Sequence, residues 1–225
     1  LFFHPMDFLI ILAFILAMWA QSKVKTSFQQ GSKVQSSSRM TGVEVARRIL
    51  DNEGLTDVKI ELSRRGALSD HYDPRAKTVR LSEPVYRGNS ISSLAVAAHE
   101  VGHAIQHANR YSMLVIRHKL FPIANFGSQL APILLIIGFL AYTPLIGIGI
   151  ILFAAAVLFQ LVTLPVEYDA SSRAKNKLVE LGMISNREEQ GVRKVLNAAA
   201  LTYLASTLIA VLQLIKFIMI FNNRR

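Results

Sequence analysis

Residues 99–103 read His-Glu-Val-Gly-His, within the run SLAVAAHEVGHAIQHANR of residues 93–110. Side chains four apart on a helix stack on one face, so the imidazoles of His99 and His103 can reach one ion with Glu100 beside them. Two imidazoles and a carboxylate suit one Zn²⁺ and leave a tetrahedral corner for water. Water in that corner would have its pKa lowered toward neutrality, and Glu100, as general base, would carry its proton to a leaving amine. The chemistry implied is hydrolysis of a peptide bond. In a chain of this composition such a pentad arises by chance roughly 0.6% of the time, so it is read as a site rather than an accident.

The third ligand has to come from elsewhere. His107 shares the helix face, but eight residues from His99 it is about 12 Å away along the axis, too far for one ion to join both. The extended form HExxHxxGxxH is also absent, since Gln106 and Asn109 stand where glycine and histidine would be needed. His107 is therefore expected to steady the site or to end the helix. The segment TLPVEYDASSRAKNKL, residues 163–178, offers Glu167 directly after 22 uncharged residues, 145–166. Glu167 is the preferred third ligand. Asp169 is the runner-up, because two residues along a helix it points roughly the opposite way.

What must position these residues is mostly apolar. Hydrophobic residues make up 52% of the 225-residue chain, and the mean hydropathy is +0.35. Four apolar segments, 8–21, 125–142, 145–166 and 198–221, read as membrane spans. The first is short for a bilayer unless Leu1-Phe2-Phe3 also enters it. No basic residue precedes it and no small-x-small site follows Trp19, so a retained anchor is expected rather than a cleaved signal. Spans two and three form a hairpin turning at Pro144. Lys216, near the end of span four, is expected to snorkel. Between the first two spans, 21–39 reads as a mobile Ser/Gln/Lys-rich linker or a strand-poor loop. A helix follows, ending at Gly54, then strands at 57–62 and 78–82 with a loop between them, and Asn89 or Ser90 capping the histidine helix.

The formal charge of +10 admits nucleic acid as a partner, but the basic residues form no recognition helix or aromatic-interleaved patch. Sixteen Lys and Arg lie in 22–120 and six in 167–197, none in the hairpin turn, and the rest are Lys216, Arg224 and Arg225. With four spans the two basic loops share a side, which the positive-inside rule makes the cytoplasm, although the terminal arginine pair argues the other way. Cysteine is absent, which excludes disulfides and thiolate ligands.

The quoted stretches AAHEVGHAIQH, LPVEYDASSRA, LSDHYDPRAKTVRLS and LNAAALTYLA resemble the YugP-type neutral zinc metallopeptidases of bacterial membranes over nearly the whole chain. More distantly the plan is similar to the HtpX heat-shock proteases and the membrane CAAX prenyl proteases. There, an E-Y-x-A-D type segment from a later helix joins the HExxH. Glu167 matches its glutamate, Tyr168 its aromatic and Ala170 its alanine, while Ser171 replaces the aspartate. Either Asp169 or Ser171 is then left to orient the first histidine. The resemblance implies an integral membrane zinc endopeptidase with a gluzincin-like ligand set and a cytosol-facing site. The strand Thr78, Val79, Arg80, Leu81, Ser82 is a candidate sheet edge to which an extended substrate could add. Asn197 and Tyr203 are candidates for stabilising the tetrahedral oxyanion. His71 and Asp73 either contact substrate or shape the turn.

The expected fold is mostly α: a polytopic membrane protein with about four transmembrane helices and a small α+β zincin-like cytosolic part. Its expected divisions are a first span at 1–21, a cytosolic HExxH region at 22–120 and a transmembrane hairpin at 121–166. A cytosolic helical segment with the third ligand follows at 167–197, then a fourth span and C-terminus at 198–225. The expected partners are one Zn²⁺ per chain, membrane-associated protein or peptide substrates, and the bilayer of a bacterial cell membrane, with no nucleic acid. The alternative is a non-catalytic metal-binding membrane scaffold or sensor. A transporter using Glu167 and Lys216 ranks below both, because the middle spans carry no charge.

Overall fold

In the computed structural model, residues 5–66 and 68–223 are described. Leu1-Phe2-Phe3, His4, Arg224 and Arg225 lie outside the described residues, as does Ala67 of the loop before the second strand. The elements run α1 (Pro5–Ser32), α2 (Gly42–Asn52), β1 (Lys59–Leu62), β2 (His71–Asp73), β3 (Thr78–Leu81), α3 (Glu83–Tyr86), α4 (Ile91–Ala108), α5 (Ser112–Leu140), α6 (Pro144–Glu180) and α7 (Asn186–Asn222). The protein is mostly helical with a small sheet, and α1, α5, α6 and α7 are each long and apolar enough to cross a membrane.

The chain divides into two compact units, one from residues 5–20, 112–165 and 201–223, the other from 21–111 and 166–200. The first unit wears its large apolar side chains outward, among them Phe8, Ile15, Trp19, Ile123, Ile136 and Ile151. That is the surface a hydrocarbon solvent selects, because lipid leaves helices no reason to bury apolar groups against each other. Small residues let its backbones approach instead. A Cβ on Gly127 would lie 2.6 Å from the carbonyl oxygen of Leu152. Lys216 is ion-paired with Asp7 across α7 and α1. The lysine thus has an opposite charge for a partner, in the first turn of α1.

The second unit is built around α4. Ser90 caps it, its side chain accepting from the backbone N–H of Ser93. Its apolar residues Leu94, Ala97, Val101 and Ile105 are buried with Val45, Ile49 and Leu50 of α2, Val79 and Leu81 of β3, and Leu178 of α6. A reciprocal Thr41–Glu44 capping box starts α2, and Gly54 at φ +70° lies just beyond its end.

Three expectations are corrected in this unit. The linker is not mobile coil: α1 continues helically to Ser32, and the following residues are pinned. Val34 O accepts from Ile91 N, Ser36 N donates to Asn89 O, and the Glu188 carboxylate accepts from both N and Oγ of Ser37. The stretch between the two expected strands is not all loop, because His71–Asp73 forms β2. Finally, Thr78–Ser82 is not a sheet edge. The strand order is β1-β3-β2, with β1 parallel and β2 antiparallel to β3, so Thr78, Val79 and Arg80 are paired on both sides and Leu81 with β1. Ser82 precedes α3 and bonds Asp70 through N and Oγ. A sequence reading of isolated strands carries no information about their order, and a third strand of only three residues has no periodicity to betray it.

One contact governs the seam where α4 meets α6. A Cβ on Gly102 would lie 2.6 Å from the carbonyl oxygen of Ala170, with the rest of that peptide just behind it. Gly102→Ala is expected to destabilise the protein. The gain in helix propensity is about 1 kcal/mol, but overpacking against rigid backbone costs about 1–3 kcal/mol. Thermal unfolding in detergent should show a lower Tm for Gly102→Ala and a still lower one for Gly102→Val. An unchanged Tm in both variants would mean that the seam is slack.

Candidate metal centre

The α4 face that meets α6 carries His99 and His103 one turn apart, their rings edge-on with centroids 4.8 Å apart. Glu167, 3% exposed, enters from α6 with Oε2 3.3 Å from His99 Nε2 and 3.6 Å from His103 Nε2. The three donor atoms lie within 4.8 Å of one another. Donors about 2.0–2.1 Å from a tetrahedral ion stand about 3.3 Å apart, so this spacing fits Zn²⁺ with little adjustment. The donor set fits as well: nitrogen and carboxylate oxygen, three in number, with the imidazoles still 14% and 12% exposed. That exposure gives a water a way in.

Each imidazole commits its other nitrogen away from the cluster. His99 Nδ1 lies 3.2 Å from Ser171 Oγ, one turn beyond Glu167 on the same α6 face. Of the two residues left open to orient the first histidine, Ser171 is therefore the one in contact. His103 Nδ1 lies 3.0 Å from Gln106 Oε1. The Gln106 amide also donates to Val166 O at 2.7 Å and to Asp169 Oδ2 at 2.8 Å. Asp169 accepts from Arg173 Nε as well, and so stands behind Gln106 rather than in the donor cluster.

Glu100 is 8% exposed. Burial pushes its carboxyl up, while the neighbouring His99 and His103 pull it down, and the net displacement is upward. For His103, burial lowers the imidazole, but the Glu167 carboxylate outweighs it and the net shift is also upward. Protons therefore compete with a cation for this nitrogen.

The remaining candidates are placed as follows. His107 lies outside the cluster, its Nδ1 2.9 Å from Tyr72 Oη on β2. Burial, then Asp57 and Asp73, push that phenol up to about 12, so it stays protonated and available as a donor. Asp73 accepts from the backbone of Arg75 and Ala76 and pairs with Arg80, which makes it a turn former. His71 Nδ1 is engaged by Ser69 O. Asn197 is an exposed residue of α7, and Tyr203, 37% exposed, belongs to the apolar unit. Sequence reasoning missed Gln106. The available signal was its spacing: three residues from His103 on an apolar helix, a polar side chain must meet its neighbour or be buried without a partner.

Residues 6–222 match the model of a family described as "Putative neutral zinc metallopeptidase". A curated protein of Bacillus subtilis (strain 168), "Putative membrane protease YugP", is 58% identical over 219 residues, covering 97% of this chain and 97% of that one. No solved structure matches the chain.

The arrangement separates the two acidic residues of the 163–178 segment by experiment. Purified Glu167→Ala is expected to lose its zinc, and Asp169→Ala to retain one ion per chain, by elemental analysis after dialysis. Zinc lost only from Asp169→Ala would reverse the assignment of the third ligand.

Proposed function

The chain belongs to the neutral zinc metallopeptidase family, and from that membership we propose that it is an integral membrane endopeptidase. In this reading His99, His103 and Glu167 hold one Zn²⁺ and Glu100 is the general base. The observation that supports it most is the convergence of three donor atoms from two helices, with a buried carboxyl beside them that burial holds above its ordinary range. Zinc, when bound, supplies Lewis acidity to a water and to the carbonyl of the scissile peptide. Glu100 takes the proton of the attacking water and delivers it to the nitrogen of the leaving amine. A carboxyl displaced upward by burial suits both halves of that task, since a general base works best with a pKa near the operating pH.

An extended substrate needs an unpaired strand edge near the metal helix. β3 cannot offer one, but β2 is an edge strand and packs on α4. The Tyr72–His107 contact fastens it there, one turn beyond His103. The substrate backbone is therefore proposed to add beside His71–Asp73. The proposed substrates are protein or peptide segments at the membrane. The proposed orientation places the basic loops, and with them the site, on the cytoplasmic side of a bacterial cell membrane.

Two experiments test this. Glu100→Gln should keep stoichiometric zinc while peptide cleavage falls by at least about 10²-fold, the scale of general-base catalysis. Cleavage undiminished in Glu100→Gln would remove the mechanism, and zinc bound by a wild type that cuts no peptide would favour a scaffold or sensor. For orientation, the cysteine-free chain accepts a single reporter: Arg65→Cys in intact cells should resist a membrane-impermeant maleimide and react with a permeant one. Labelling by the impermeant reagent would invert the topology.

A further inference from the structure

Gln106 is fully buried on α4, with 0% exposure. Its side-chain amide is saturated. Both acceptors facing Nε2, the Val166 carbonyl and the Asp169 carboxylate, can only accept. The NH₂ group must therefore point at them, and Oε1 must point at His103 Nδ1, 3.0 Å away. An amide oxygen facing a ring nitrogen demands a hydrogen on that nitrogen. When neutral, His103 then has its hydrogen on Nδ1 and a lone pair on Nε2, the atom aimed at Glu167.

We propose that Gln106 is a positioning residue that fixes the tautomer and the ring orientation of His103, so that its Nε2 is presented as a ready metal ligand. The proposal rests on the metal-site reading above. The amide is anchored twice. Val166 holds one donor through α6 backbone, and Asp169 holds the other while itself accepting from Arg173, whose guanidinium lies 6.0 Å from the centre of the Tyr111 ring. A glutamine free to rotate could present either end to the imidazole, and this one cannot. The same contact joins α4 to α6 through Val166, next in sequence to Glu167. One side chain thus sets the orientation of one donor and the distance to another. His99 is handled separately, by Ser171.

The test compares wild type with Gln106→Met, which preserves volume and removes every hydrogen bond. Nitrogen–proton correlation spectra of histidine-labelled, metal-free protein are recorded at alkaline pH, where the imidazoles are neutral. Wild-type His103 should be the Nδ1–H tautomer. In Gln106→Met it should become a mixture while His99 stays unchanged, and zinc affinity by chelator competition should fall about 10–100-fold, the usual effect of losing such a partner. His103 keeping its tautomer, both histidines changing together, or zinc affinity matching wild type would overturn the proposal. If Gln106→Met does not fold, Asp169→Ala replaces it. This removes one anchor at a partly exposed position, and a smaller shift in the same two readouts is expected; no shift in His103 would overturn the proposal. His103→Ala separates the two layers. Zinc bound by wild type and lost in His103→Ala upholds the metal site whatever Gln106 does, and zinc retained there removes the site and this inference with it.

Discussion

The candidate metal centre depends on how closely two helices can approach. Ligands drawn from α4 and α6 meet only if the backbones come nearer than ordinary side chains allow, and Gly102 against Ala170 is where they do. Around that contact each helix presents a single face. On α4, positions 95, 98, 99, 102, 103 and 106 carry Ala, Ala, His, Gly, His and Gln. On α6, positions 167, 170, 171 and 174 carry Glu, Ala, Ser and Ala. Both follow the i, i+3, i+4, i+7 spacing of one helical stripe. Small residues set the distance, and the polar ones between them use it. The HExxH pentad is thus the visible part of a longer pattern whose remaining members are chosen for size and for hydrogen bonding.

Burial of so many polar groups is tolerable only because each has a partner. An unpaired buried amide or carboxylate costs about 1–3 kcal/mol, more when charged. Among the described residues, no buried side-chain nitrogen or oxygen of the site lacks one. His99 turns to Ser171, His103 to Gln106, Gln106 to Val166 and Asp169, and Asp169 to Arg173. The network ends in groups nearer the solvent, where Arg173 and Asp169 are about a third exposed, at 31% and 27%. The chain of partners thus runs outward from the donors, which keeps the imidazoles oriented before any ion arrives.

How much of this was legible follows the physics of each feature. The four apolar helices were, because membrane-length apolar runs have few other solutions, and their true ends were not. α1 passes through Gln21 to Ser32 and α6 through Glu167 to Glu180 with no composition break that stops a helix. The pairing of His99 with His103 was legible from spacing, and Glu167 from its place directly after an uncharged run. What could not be read was anything set by contact between distant segments: Lys216 with Asp7, Ser37 with Glu188, Tyr72 with His107, and Gln106 with Val166. Each is a polar residue whose partner lies at least 35 positions away. Only the burial of its surroundings hints that a partner must exist.

The sheet shows the same division at a smaller scale. β3 has the alternation and the buried Val79 and Leu81 that mark a core strand, and those features also argue that it is central, since an edge strand seldom buries so much of itself. β1 takes the outer place with Lys59 and Glu61 exposed, charges of the kind that discourage another chain from pairing there. β2 is only three residues long and is held against α4 by a protonated phenol rather than by a long ladder. A short edge strand is a poor template for aggregation, yet it can still align a few residues of an extended chain, which is all that cleavage of one peptide bond requires. The two edges are thus unequal: the one away from the metal helix carries charge, and the one packed on it is kept short and open.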